Sequence, residues 1–95
     1  MTDPNLLILA SLAGGDKHGY AMMEDVAAFA GVTVGPGTLY GAITRLEEQG
    51  WIRPLRADDR RRPYTLTAAG RRHLNEQLGA LGQFVSTGRE RLGQS

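Results

Sequence analysis

The stretch from Gly35 to Ile52 reads Gly-Pro-Gly-Thr-Leu-Tyr-Gly-Ala-Ile-Thr-Arg-Leu-Glu-Glu-Gln-Gly-Trp-Ile, and it narrows the possible folds of this chain more than any other. Pro36 suits a first helical position, where its missing N–H costs nothing. Leu39, Ala42, Ile43 and Leu46 then recur with the spacing of one helical face. Gly50 is a stop signal, and Trp51-Ile52 opens an apolar segment of strand character. The basic cluster Arg60-Arg61-Arg62 follows closely. The pattern is a short amphipathic helix leading into a hairpin with a basic turn.

The rest of the chain supplies helices around this unit. Asp3-Pro4 is a helix start, and Leu6, Leu7, Ile8, Leu9 and Leu12 make a helix apolar on most sides, which needs heavy burial. Gly14-Gly15-Asp16 ends it. A second helix is expected over 19–30, stopped by Gly31, with Val32-Thr33-Val34 as a β-branched link able to pair as a short strand. Residues 51–56 and 64–66 alternate as two strands, and Pro63 suggests an edge position for the hairpin. Thr67 caps a last helix expected to run to about Leu92. Leu74, Leu78, Leu81, Val85 and Leu92 form a heptad-like seam along it. Gly79, Gly82 and Gly88 weaken that helix or permit close helix approach. The expected fold is mainly α with a small β-hairpin (α+β). It is divided into a helix-and-hairpin unit over 1–67 and a C-terminal helix over 68–95.

Charge distribution separates the halves more sharply than the net charge of +1 does. Residues 1–50 carry two basic and six acidic side chains, whereas residues 51–72 carry seven arginines and two aspartates. A focused positive field of this kind suits an anionic polymer. Arginine, the type of all but one basic residue, pairs with phosphate through two N–H groups at once.

Several chemistries are disfavoured. The absence of cysteine removes disulfides and thiolate chemistry and fits a reducing cytoplasm. No apolar run reaches the ~20 residues of a membrane span, and the apolar start is too short for a secretory signal. His18 and the distant His73 do not make a metal site. Asp58 and Asp59 have no base or nucleophile near them in sequence, and Gly14-Gly15-Asp16-Lys17 lacks the end of a phosphate-binding loop. Neither an enzyme activity nor a cofactor is expected.

The order and spacing of several short pieces carry a family resemblance. These are Leu-Leu-Ile-Leu-Ala-Ser-Leu at 6–12, His18-Gly19-Tyr20, Gly35-Pro36-Gly37-Thr38-Leu39-Tyr40, Arg45-Leu46-Glu47 with Gly50-Trp51-Ile52, and Arg62-Pro63-Tyr64-Thr65-Leu66-Thr67 with Gly70. Together, over about Leu6 to Leu74, they resemble the PadR family of transcriptional regulators. The resemblance implies a winged helix-turn-helix domain, a homodimer built through the C-terminal helix, and repression of nearby genes, often relieved by a small ligand. Gly41 departs from the family by standing where proline is frequent. The wing is short, and a single long helix follows it, as in short-form members.

On this reading the third helix enters the major groove of double-stranded DNA. Thr38, Tyr40, Gly41, Thr44 and Arg45 form its outward face. Gly35, Pro36 and Gly37 bring the backbone and free N–H groups of the helix start near a phosphate. Arg60, Arg61 and Arg62 would grip the backbone or enter the minor groove, and Tyr20, with Lys17 beside it, would hold an adjacent phosphate. The plainer readings are an amphipathic helix with Arg45 paired to Glu48, a solvated arginine loop, and a half-buried Tyr20 with His18 capping the turn. Trp51 is expected in the core or as an aromatic wall for a planar ligand, and Met22 and Met23 as core. Leu6, Leu9, Leu74, Leu78, Leu81 and Val85 are the expected dimer interface, lining space for a small hydrophobic effector between subunits. The alternative to a DNA-binding repressor is a winged-helix module that binds protein alone, which the acidic first half favours.

Overall fold

Asp3 opens the first helix by accepting the Asn5 N–H at 3.0 Å, with Pro4 inside the first turn. The computed structural model describes residues 3–57 and 61–93. Its elements are α1 (Pro4–Ala13), β1 (Lys17–His18), α2 (Gly19–Ala30), α3 (Pro36–Glu48), β2 (Ile52–Pro54), β3 (Pro63–Leu66) and α4 (Ala68–Arg91). Each helix start has the cap its sequence provides. His18 Nδ1 accepts the Ala21 N–H at 3.3 Å, and Thr67 Oγ1 accepts the Gly70 N–H at 3.0 Å. Gly35 has no side chain to offer, so the start of α3 carries no side-chain cap.

The core is where the apolar faces of α1, α2 and α3 meet. Ile8, Leu9, Leu12, Met22, Leu39, Leu46 and Ile52 are fully enclosed there, each such side chain contributing about 1.5–3 kcal/mol. The stripe Leu39, Ala42, Ile43 and Leu46 is the buried face of α3, as the spacing predicts. Ser11 is the one buried polar side chain among the described residues. It donates to Asp25 Oδ2 at 2.7 Å, so its hydroxyl is satisfied. Lys17 completes this knot by pairing with Asp25 at 3.7 Å and donating to the Ser11 carbonyl.

The sheet corrects two expectations. Residues 32–34 form no strand; Val34 is buried as a link between α2 and α3. The third strand is β1 instead, and the order is β1-β3-β2, antiparallel throughout. The strand that Pro63 begins is therefore central and not an edge. Pro63 is tolerated because it is the first residue of β3, opposite His18 at the end of a two-residue ladder, while its carbonyl still accepts the Leu55 N–H at 2.8 Å.

The last helix leaves the core after its second turn. Gly70 and Leu74 are buried, but Leu78, Leu81, Val85 and Leu92 are exposed, as is Phe84, which lies beside the expected seam. Leu9 and Leu74, expected at a subunit interface, are sealed in the core of the chain itself. The molecule is consequently elongated, 53 × 26 × 20 Å. Its radius of gyration of 14.8 Å exceeds the ~12 Å of a compact chain of this length. Among the described residues, no helix is long and apolar enough to cross a membrane.

Candidate nucleic-acid interface

The outer face of α3 is polar, and it starts with bare backbone. Gly35, Pro36, Gly37 and Thr38 are exposed, and a Cβ added at Gly35 or Gly37 would meet nothing within 4 Å. There is no acidic residue in the first turn and no capping side chain, so the first N–H groups and the positive end of the helix dipole face outward. Tyr40 is half exposed, and Thr44, one turn on, is exposed with its hydroxyl donating back to the Tyr40 carbonyl at 2.9 Å. Gly41 between them keeps this face shallow.

Arg45 is held from an unexpected side. Its guanidinium donates to Asn5 Oδ1 at 3.2 Å, at the start of α1, and no ion pair to Glu48 forms. Its guanidinium also lies beside Gly41, where an added Cβ would come 3.5 Å from Nη1, so Arg45 stays next to the outward face while leaning toward α1. Lys17 is likewise committed to Asp25 and Ser11, and is not free to hold a phosphate.

Packing of α2 on α3 brings three elements to one cleft. A Cβ at Gly19 would lie 2.8 Å from the Tyr40 hydroxyl and 3.1 Å from Leu39 Cδ2, so glycine leaves room for the end of the Tyr40 ring against the start of α2. The result is a cleft of about 270 Å³ lined by His18, Gly19, Tyr20, Tyr40, Arg61, Arg62 and Tyr64. Tyr20 is 61 % exposed and is not the bundle-filling residue of the plainer reading. Arg61 comes within 3.4 Å of His18 Nε2, and Arg62 donates to the Leu55 carbonyl at 3.3 Å across the base of the hairpin. Arg60, with Asp58 and Asp59, lies outside the described residues. Tyr40 from the third helix and Arg61 and Arg62 from the hairpin therefore share one flank. That flank is the geometry of a winged helix-turn-helix.

A scan against family models matches residues 8–76 to the transcriptional regulator PadR-like family. The chain belongs to that family. Its members are DNA-binding transcriptional regulators of winged-helix fold. Among solved structures, a PadR family transcription regulator from a hypervirulent Clostridium difficile superposes with a TM-score of 0.82 at 22 % identity, covering 96 % of this chain and 98 % of that one. RosR of H. salinarum matches with a TM-score of 0.76 at 27 % identity, over 98 % of this chain and 87 % of that one. An uncharacterised 37.1 kDa protein of a Streptomyces fradiae transposon, TN4556, is 41 % identical over 82 residues, 86 % of this chain. This PadR-like chain spans 24 % of the length of that curated relative.

Sequence reading of this PadR-like chain misses the place of Tyr64 in the cleft and the partner of Trp51, although it offers Trp51 as an aromatic wall. Tyr64 reads only as an alternating strand residue, yet it is buried and lines the cleft. Burial pushes its hydroxyl above the usual 10.0; Glu47 adds to the effect, Arg62 opposes it, and Tyr40 adds slightly. Trp51 is half-buried and stacks on His73 with ring centroids 3.6 Å apart. The pair walls a separate groove of about 610 Å³ between α1 and α4, which Leu6, Leu9, Leu81 and Val85 also line.

Proposed function

We propose that this PadR-like chain is a sequence-specific regulator that binds double-stranded DNA as a homodimer and represses transcription in the cytoplasm. The observation that carries the reading is the shared flank: Tyr40 of α3 faces the same cleft as Tyr20, Arg61 and Arg62. In this arrangement α3 reads bases from the major groove while the hairpin grips the flanking phosphates. Residues 1–67 form the DNA-binding unit, and residues 68–95 the dimerisation helix. The exposed seam Leu78, Leu81 and Val85 on the overhanging half of α4 supports a second copy there. Two-fold symmetry then calls for a pseudo-palindromic operator with half-sites about 34–36 Å apart.

The groove walled by Trp51 and His73 runs beside that seam. A second copy would close it into a chamber between subunits suited to a small hydrophobic effector, whose entry would quench or shift the fluorescence of the sole tryptophan.

The test is a gel shift and footprint on the DNA upstream of the chain's own gene. Binding is expected to fall steeply between ~50 and ~200 mM salt, because arginines displace counterions. Arg61→Ala should weaken binding to all sequences alike, whereas Thr38→Ala or Thr44→Ala should relax discrimination among sequences. A flat salt response, or identical behaviour of the three variants, would refute the assignment. The acidic first half and the net charge of +1 favour a second reading, a winged domain that binds only protein. Absence of any DNA shift at low salt would select it.

A further inference from the structure

The cleft between α2, α3 and the hairpin brings together an imidazole, two guanidinium groups and three phenol hydroxyls. His18 Nδ1 accepts the Ala21 N–H at 3.3 Å in the tautomer of the neutral ring that carries its hydrogen on Nε2. That nitrogen faces Arg61, whose guanidinium is 3.4 Å away and is itself only a donor. In that tautomer two donors are in contact in the cleft, whereas the other tautomer lets Nε2 accept from Arg61 and gives up the Ala21 bond. An anion between the two donors would turn this opposition into two hydrogen bonds.

Tyr64 adds a third group to this cleft. Its side chain is 9 % exposed, and its hydroxyl has no hydrogen-bond partner among the described residues. No fully buried side-chain polar atom is left unpaired there, so the hydroxyl is the part of Tyr64 that opens outward, and the opening is the cleft. The positive end of α2, a twelve-residue helix with no acid in its first turn, meets the same space. Among the described residues, no carboxylate lines it. Glu47, from α3, is the carboxylate whose field reaches the Tyr64 hydroxyl.

We propose that this cleft is a dedicated seat for one DNA backbone phosphate, held by the Tyr64 hydroxyl, His18 Nε2–H and Arg61. It lies apart from the base-reading face around Thr38 and Thr44. The proposal rests on the DNA-binding reading above and adds to it a neutral donor on an otherwise buried ring. A phenol is protonated throughout the neutral pH range, so the Tyr64 hydroxyl can donate there. The seat would fix how deeply α3 enters the groove, since β3 ties Tyr64 to the wing and Gly19 ties the cleft to Tyr40.

Tyr64→Phe keeps the packed ring and removes only the donor. Binding of a fluorescein-labelled duplex of arbitrary sequence, followed by anisotropy at low salt, should weaken roughly ten-fold, the size of a lost hydrogen bond to a charged group. The salt slope should stay unchanged, because a neutral group displaces no counterion, whereas Arg61→Ala should lower the slope by about one. The double variant should lose less than the two single losses combined, as expected for two groups on one phosphate. Wild-type affinity in Tyr64→Phe, or fully additive losses, would overturn the seat. A response to inorganic phosphate that Tyr64→Phe abolishes without changing DNA affinity would also overturn it, in favour of a free-anion site. If the wild type binds no duplex at all, the DNA-binding reading itself fails, which is a distinct outcome.

Discussion

Gly70→Ala tests whether α4 and the hairpin form one packed unit. Gly70 lies in the first turn of α4, where its N–H donates to Thr67 Oγ1 at 3.0 Å. Thr67 in turn donates its backbone N–H to the Trp51 carbonyl at 3.0 Å and its hydroxyl to the Gly50 carbonyl at 2.7 Å. The helix start is therefore clamped against the backbone that enters β2. A Cβ at Gly70 would overlap the Trp51 carbonyl oxygen and lie 2.8 Å from its carbon and 2.9 Å from Leu66 Cδ1. A rotamer change can move Leu66 but cannot move a carbonyl that is already hydrogen-bonded. Overpacking of this kind costs about 1–3 kcal/mol, and the backbone obstacle places it at the upper end. Alanine recovers about 1 kcal/mol of helix propensity relative to glycine. The net loss is then about 2 kcal/mol, which lowers Tm by roughly 8–16 °C in a domain this small. Gly79→Ala is the internal control: it sits on the same helix, off the seam, with nothing within 4 Å of an added Cβ. It should gain about 1 kcal/mol and raise Tm by roughly 4–8 °C. Circular-dichroism melts at one fixed protein concentration, so that association contributes equally, give the comparison. An unchanged or raised Tm for Gly70→Ala, or shifts of the same sign for both variants, would refute the reasoning.

Two other predictions concern the flanks of the molecule. Leu81→Glu places a charge in the middle of the exposed seam, at a position 45 % exposed in the single chain, so it should leave the fold intact and convert a dimer to a monomer in light scattering; a monomeric wild type, or a variant that still dimerises, would discredit the seam. The raised Tyr64 hydroxyl has a sign that can be checked. The folded state keeps this proton to higher pH than the unfolded chain does, so its effect is nil below 10.0 and stability is lost as pH climbs from 10.0 through the folded value. Urea unfolding of the wild type should weaken more steeply across that window than unfolding of Tyr64→Phe, and parallel curves would contradict the burial argument.

Regular periodicity made much of this protein legible without coordinates. The buried stripe of α3 follows from the spacing of Leu39, Ala42, Ile43 and Leu46, and the ends of α1, α2 and α4 from Asp3, Gly31 and Thr67. Local chemistry settles these, because a cap or an amphipathic face involves residues within one or two turns. The exposure of Thr38, Tyr40 and Thr44 follows from the same stripe, as its complement. What depends on residues far apart in sequence was not legible. A two-residue strand at Lys17–His18 has no period to read, and it exists only because β3 lies alongside it. Arg45 turns to Asn5, 40 positions away, because α1 packs across α3. Tyr64 becomes part of the cleft only when Gly19 allows α2 to seat against Tyr40. Side-chain type and spacing fixed which surfaces are polar, basic or apolar; the packing of α1, α2 and β3 around α3 decided which of them share a flank, since that depends on close contacts between segments that no local pattern encodes.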